Sequence, residues 1–463
     1  MDNFIKELIG LEDDSNIIIK DFRTEGKEKI ITVEYKLIEI YCQKCGARMH
    51  VKEIYKRRVK HNILQEGHLL VIEYYQRSWV CPKCKQRYTP HVSFVDKHKQ
   101  ISNYVTYYSI VKLADLTRSV ASVAADFGIS DTQLHTLFLQ HVDMHRLPLS
   151  EVIMIDEVYT NFSYDCKYSL VIMDFFTQEV IDILPSRREK YTNQYFTSLP
   201  VEEKNRVKYV ISDMYEPYLN YMNRYFLHAE TAVDSFHVIE WILNKIKIYM
   251  NALARKYAND KDPNTNKRSD EYYLLKKKRW IMLKNEDNII DIDMPKKIDP
   301  HFHCYMTTQS YREKFFAIDP KLKTIHELKE KYVTFNNKER VNNEGIEEEL
   351  DQLIELYAAS NIDMFVEFAG LLKDKKAEII HSFVVLPSLG KTVRLSNGAI
   401  ESFNRKPKDL KRLARGFTNF EFFKQRILFS ERANKVFQAI PKPLKEVKTK
   451  TGRKRGKYNK KKK

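Results

Sequence analysis

Residues 148–237 constrain the fold more than any other stretch. Three apolar runs follow one another at 151–159, 168–174 and 180–184, the last closed by Pro185. A helix-like segment at 189–199 comes next, then an apolar run at 207–213, a second helix-like segment at 216–226 and a last strand-like run at 227–233. Short apolar runs bounded by Pro, Asp and turn residues are strands. Three strands, a helix, a strand, a helix and a strand define one α/β sheet domain. Several runs carry an acid: Asp156 and Glu157 in the first, Asp174 at the end of the second, Asp182 in the third and Asp213 at the end of the fourth. Asp182 alternates with apolar residues and reads as a solvent-side acid.

The chain has 463 residues, enough for roughly two to four domains. With 43% hydrophobic and 30% charged residues it has the composition of a soluble globular protein. No apolar run approaches the length of a membrane span, and the residues after Met1 do not form a secretory signal. The expected compartment is the cytoplasm, with no membrane partner. The formal net charge is +17, and residues 442–463 alone hold twelve Lys or Arg against one acid. A tail of that composition is normally disordered and binds polyanions without sequence preference. Nucleic acid is the expected partner.

Four of the six cysteines form two Cys-x-x-Cys pairs, Cys42/Cys45 and Cys81/Cys84, with 35 residues between them. Each pair makes a tight knuckle, and two knuckles supply four thiolates to one tetrahedral Zn²⁺. Strands at 30–35 and 69–75 and a β-hairpin between the pairs complete a β-rich module. Lys56, Arg57, Arg58, Lys60 and Arg77 are interleaved there and make DNA contact plausible. Residues 101–147 read as helical. Small apolar residues from Val120, a turn at Gly128 and a capping box from Ser130 to Gln133 give a helix-turn-helix pattern. Leu134, Leu137 and Phe138 form the buried face of its second helix. Asp131, Thr132, Gln133 and Thr136 are the candidates to face a DNA groove.

Near the C-terminus a Ser396-Asn397-Gly398 turn precedes Glu401, and eight Lys or Arg against two acids occupy residues 402–426. One carboxylate at the head of a cationic stretch suits a metal ligand facing a polyanion. The ordered series Ser396-Asn397-Gly398, Glu401, Asn404, Lys408, Lys411-Arg412, Gly416-Phe417, Asn419-Phe420 and Arg426-Ile427 resembles the last catalytic block of ISL3-family insertion-sequence transposases. Pro407 departs from that pattern, standing where an aliphatic residue is commoner, and it kinks or ends the helix that begins near Glu401.

The resemblance implies a DDE transposase with an RNase H-like core interrupted by a helical insertion. In such a sheet the first and fourth strands are adjacent and the last helix crosses them, so Asp156, Asp213 and Glu401 would meet and hold Mg²⁺ or Mn²⁺ for two-metal phosphodiester chemistry. Glu157 should face the other way, and Asp174 should lie at the far end of the sheet. Asp234-x-x-His237 resembles a further element of several transposase groups, which makes His237 a candidate for contact with the scissile phosphate. The plain alternative is Asp234 as a helix N-cap. Asn404, Lys408, Lys411 and Arg412 are the DNA-binding candidates of the last block. His301, His303 and Cys304 are too loosely spaced for a metal site.

The expected organisation is a multidomain α+β chain. It has a zinc-binding module at 1–100, a helix-turn-helix at 101–147 and the catalytic core at 148–237 and 393–437. A helical insertion fills 238–392, and a basic tail runs over 438–463. The implied partners are the inverted ends of an element and target DNA, bound by a homo-oligomer. The alternative function is a non-catalytic DNA-binding protein using the zinc and helix-turn-helix modules.

Overall fold

In a computed structural model, residues 6–7, 9–63, 67–162, 166–261, 267–292, 297–338, 343–413 and 419–447 are described. The chain is mixed α and β and divides into two compact units. The first gathers residues 1–146, 158–169 and 403–463, and the second residues 147–157 and 170–402. Residues 414–418 of the last sequence block and the lysine-rich segment from 448 lie outside the described residues.

The first unit opens with strands β1 (Ile17–Glu25), β2 (Glu28–Tyr35), β3 (His50–Ile63), β4 (Leu69–Val80) and β5 (Arg87–Tyr88). They pair in the order β1-β2-β4-β3, with β5 on β4. The long β3–β4 hairpin spans the gap between the two cysteine pairs. Ile31, Val33, Val59, Ile72, Tyr74 and Phe94 form its core. Helices α1 (Asn103–Lys112), α2 (Val120–Asp126) and α3 (Asp131–His141) follow.

In the second unit lie strands β6 (Val152–Tyr159), β7 (Tyr168–Asp174), β8 (Val180–Leu184), β9 (Tyr209–Ser212) and β10 (Glu230–Val233), ordered β10-β9-β6-β7-β8. The segment joining β6 to β7 groups with the first unit. Helices α4 (Glu189–Ser198) and α5 (Val201–Asn205) precede β9, and α6 (Glu216–Tyr225) precedes β10. The helices after β8 carry the chain from one edge of the sheet to the far side of β6; β6, β9 and β10 run parallel, whereas β7 and β8 form an antiparallel hairpin. Ile153 and Ile155 pack with Leu170, Ile172, Phe196 and Met222 beneath the sheet. Asp182 is not a solvent-side acid: it is 3% exposed, and its Oδ1 accepts the Ile183 N–H.

Helix α7 (Ser235–Lys256) leaves β10 and enters a helical region of α8 (Asp270–Lys277), α9 (Trp280–Leu283), α10 (Thr308–Ala317), α11 (Pro320–Asn337), α12 (Ile346–Ala358), α13 (Asp363–Asp374) and α14 (Lys376–His381). Its own core includes Ile242, Ile246, Leu322, Tyr332, Phe365 and Phe368. The hairpin of β11 (Val385–Ser388) and β12 (Lys391–Arg394) leads to α15 (Gly398–Phe403).

The chain then returns to the first unit with α16 (Arg405–Leu413), α17 (Phe420–Glu431) and α18 (Leu444–Val447). The helix carrying Glu401 ends at Phe403 and the next begins at Arg405, so the break lies at Asn404, and Lys406, where Pro407 disfavours helix, is helical. Pro407 sits in the first turn of α16, where its missing N–H leaves no helical bond unmade. Arg426, grouped by sequence with the polyanion-facing residues, is instead fully buried. Its guanidinium donates to the carbonyls of Leu113 (3.0 Å), Asp115 (3.1 Å) and Arg118 (2.5 Å) at the end of α1. Phe422 stacks on His135, with ring centres 4.0 Å apart. The expected disorder from residue 438 does not hold through Val447, because the Gln438 and Lys442 N–H groups donate to the carbonyls of His141 and Gln140. Among the described residues, no helix is long and apolar enough to cross a membrane.

Candidate active site and metal centre

The register of the three parallel strands builds the site. Met154 of β6 is paired with Ile211 of β9, and Ser212 of β9 with Val233 of β10. Continuing each pairing by one or two residues brings Asp156, Asp213 and Asp234 level at the carboxyl ends of the strands. β6 is fully buried through Ile155, and its burial loosens at Asp156 and Glu157. His237 lies in the first turn of α7, and its Nε2 is 3.4 Å from Glu401 Oε1 on α15. Asp156 and Asp213 therefore lie at the carboxyl end of the sheet, and His237, three residues after Asp234, links Glu401 to that end.

The charges of Asp156, Asp213, Glu157 and His237 act on one another. Burial pushes Asp156 up to about 6; the neighbouring charges of Asp213 and Glu157 add to the shift, while the Glu157 N–H and His237 oppose it. Asp213 is raised as well, by burial and by the charge of Glu157, against its bond from the Tyr215 N–H and the pull of His237 and Arg187. Glu157 is thus nearer than strand alternation suggested. It pairs with Arg187, and its charge reaches both aspartates. Arg187 also lies over the Tyr215 ring, 4.6 Å from its centre. No sequence motif pointed to Arg187. Asp174 stays out of the group: its Oδ1 accepts the N–H groups of Phe176 and Thr177 in a turn beside Val152, at the start of β6.

A half-buried carboxylate such as Asp156, whose proton is held up to about pH 6, is poised to exchange it for a divalent cation. A stability prediction follows with a definite sign. Unfolded, Asp156 titrates near 3.8; folded, near 6. Its contribution to stability is full below the lower value and is lost as pH rises through the upper one. Asp156→Asn should therefore raise the melting temperature of the chain without divalent metal at pH 7.5, by several degrees for an effect on the order of 2 kcal/mol. At pH 4 the gain should vanish. Calorimetry at both pH values, in chelator, checks this; a lower melting point for the variant at pH 7.5 would contradict it.

The four cysteines of the paired motifs converge in the first unit. Cys42 Sγ is 3.4 Å from Cys84 Sγ, and Cys45 Sγ is 3.4 Å from Cys81 Sγ and 3.7 Å from Cys84 Sγ. Four thiolates on a tetrahedron around zinc lie roughly 3.7 Å apart, so this set can hold the ion. Each knuckle closes locally: the Gly46 N–H donates to the Cys42 carbonyl and the Lys85 N–H to that of Cys81. Both residues have positive φ, 67° for Gly46 and 60° for Lys85. Cys81 is pulled down to about 6, chiefly by the Cys84 N–H aimed at its sulfur. Elsewhere Glu286, His326 and Glu330 also bring ligand atoms within 4.8 Å of one another. Arg312 and Lys329 pair with those carboxylates, which makes that group an ion-pair network.

The five interleaved basic residues of the cysteine module each have a partner within the fold. Lys56 and Arg23 pair with the buried Glu73, Arg58 with Glu28 and Arg77 with Glu34. Arg57 donates to Gln76, and Lys60 to the Gly128 carbonyl. On α3, Ser130 Oγ accepts the Gln133 N–H at 3.1 Å, as its capping box requires. Leu134, Leu137 and Phe138 are buried, and Asp131, Thr132 and Gln133 are exposed. Thr136 is half-buried and donates to the Thr132 carbonyl. In the last block Asn404 is only 4% exposed. Lys408 and Arg412 are exposed, and Lys411 lies over the Phe162 ring.

The transposase for insertion sequence element IS1001 of Bordetella parapertussis is 23% identical over 262 residues, covering 54% of this chain. The chain spans 59% of the length of that relative. The family model for ISL3-type DDE transposases, described as Transposase, matches residues 153–427, which contain every member of the carboxylate group and more than half of the chain. The chain belongs to the ISL3 family of transposases.

Proposed function

We propose that the protein is a DNA transposase that binds the inverted terminal repeats of its element, cleaves strands there and joins the resulting 3′-hydroxyls to target DNA. The reading rests on the level placement of Asp156 and Asp213 at the carboxyl ends of their strands and on His237 lying 3.4 Å from Glu401, groups from segments far apart in sequence. The strand order β10-β9-β6-β7-β8 is that of an RNase H-like core, with α7 to α14 as its helical insertion. Asp156, Asp213 and Glu401 would hold Mg²⁺ or Mn²⁺, both of which favour carboxylate oxygens. When bound, the metal supplies activation of the attacking oxygen and stabilisation of the leaving one. His237, close to Glu401, faces the scissile phosphate, and the Glu157–Arg187 pair holds the charge balance behind Asp213. The test is incubation of the purified chain with a labelled fragment ending in the repeat, in Mg²⁺ and in Mn²⁺. Cleavage and joining support the reading; end binding without cleavage in either metal favours the DNA-binding protein without catalysis.

Binding divides between two surfaces. Helices α2 and α3 form a helix-turn-helix that, with the zinc module, selects the element ends through Thr132, Gln133 and Thr136. Lys408, Lys411, Arg412 and the lysine-rich residues after 447 supply sequence-blind phosphate contact. Gln133→Ala should weaken binding to element ends by about tenfold and leave random duplex unaffected. Deleting 448–463 should weaken binding to both and flatten the dependence on salt. Anisotropy titrations over a salt series check both, and a deletion that harmed only end-specific binding would reverse the assignment.

A further inference from the structure

Asn397 is fully buried and Asp234 is 3% exposed. Asp234 Oδ1 accepts the Phe236 N–H at 2.8 Å and caps α7, the helix that carries His237. Its Oδ2 accepts the backbone N–H of Asn397 at 2.5 Å. The Asn397 side-chain amide donates to the Ile155 carbonyl at 3.3 Å, one residue before Asp156. The Asn397 carbonyl accepts the Glu401 N–H at 2.9 Å in the first turn of α15, and the Asp234 N–H donates to the Ser212 carbonyl at 3.2 Å, one residue before Asp213. Two buried side chains and their own backbone thus touch the chain at Glu401 itself and immediately before Asp156 and Asp213.

We propose that Asp234 and Asn397 are a pair of positioning residues that fix Glu401 and His237 against Asp156 and Asp213 in the geometry that binds metal. The proposal rests on the reading of the three carboxylates as metal ligands. The segments joined are separated by long stretches of chain, and α15 is only six residues long. A helix that short has little rigidity of its own, so the placement of Glu401 depends on what holds its first turn. Asn397 Oδ1 finds no hydrogen-bond partner among the described residues. Burying an unpartnered oxygen costs stability, so this amide serves geometry more than folding.

Two substitutions test the pair on the full-length, zinc-loaded chain. In Asp234→Asn only one oxygen remains to serve two N–H groups, and asparagine is an equally good helix cap; the bond to Asn397 is the one lost. Asn397→Ala removes the tie to Ile155 and leaves the backbone in place. Mn²⁺ binding is read from the electron paramagnetic resonance signal of the free ion, which does not require turnover. Melting temperature and metal-free binding to DNA ends are measured alongside. Both variants should bind Mn²⁺ about 10–100-fold more weakly, with melting temperature within a few degrees of the parent and end binding unchanged. Wild-type Mn²⁺ affinity in both variants overturns the proposal. So does a loss of affinity accompanied by collapse of the melting transition, which would make the pair structural only. Asp156→Asn is the reference: if it too binds Mn²⁺ normally, the ligand assignment itself fails. Weakened binding in the pair variants, in a chain that never cleaves DNA, would sink the transposase reading and keep the positioning role.

Discussion

Asp156→Asn, Asp213→Asn and Glu401→Gln should each lower Mg²⁺-dependent cleavage and joining of a labelled element end by at least about 10³-fold. Each change keeps the shape of the side chain and removes one negative charge from a shared cluster. Groups that act as a unit lose most of their effect with the first member, so any double variant should be little worse than the singles. End binding in chelator should survive in all three, because the candidate groove-facing residues belong to the other unit. Asp174→Asn is the control and should stay active, since that carboxylate is occupied in a turn beside the opposite end of β6. A dead Asp174→Asn beside an active Asp156→Asn would assign the chemistry to the wrong strand.

The second large effect concerns the cysteines. Freshly purified protein should contain about one zinc per chain, and Cys81→Ser should lose it. Structural zinc in a small module is worth on the order of 10 kcal/mol of folding energy, more than the β-rich module can lose and stay folded. Cys81 is fully buried at the end of β4, in a small cluster with Cys42, Met49 and Trp79. The variant should lose protease resistance over roughly the first hundred residues, while the second unit, with cores of its own, stays resistant. Elemental analysis and limited proteolysis read the two effects. Metal-free wild-type protein with a stable N-terminal module would refute the expectation.

Much of the carboxylate site was legible because it depends on strand ends. An acid directly after an apolar run, as at Asp156 and Asp213, marks the level at which a parallel sheet stops being buried. Glu401 was legible only as one carboxylate heading a basic stretch, and its family resemblance supplied the rest. Burial inside an alternating pattern was not legible: Asp182 looks like a surface residue in sequence and lies inside. Nor were the fates of the basic residues. A guanidinium reads as a DNA contact from charge alone, yet Arg426, Arg57 and Arg77 each find partners that only the folded chain brings near. Arg187 and Asn397 escaped for the same reason, since their roles come from partners 30 and 242 positions away. The zinc pairs posed no such difficulty, because two thiols three residues apart already carry their own local geometry.

The anchoring of Arg426 has a consequence for biosynthesis. The carbonyls it seals lie as many as 313 residues earlier in the chain. At roughly 5–20 residues per second, a ribosome needs about 15–60 s to deliver the seal after making its target. Until then the first unit on the nascent chain has an open apolar face where Phe422 and Phe429 will dock on Phe138. The first unit is closed only after the second, residues 147–157 and 170–402, has been translated, so the nascent chain already carries the whole carboxylate group when the packing around α3 is completed.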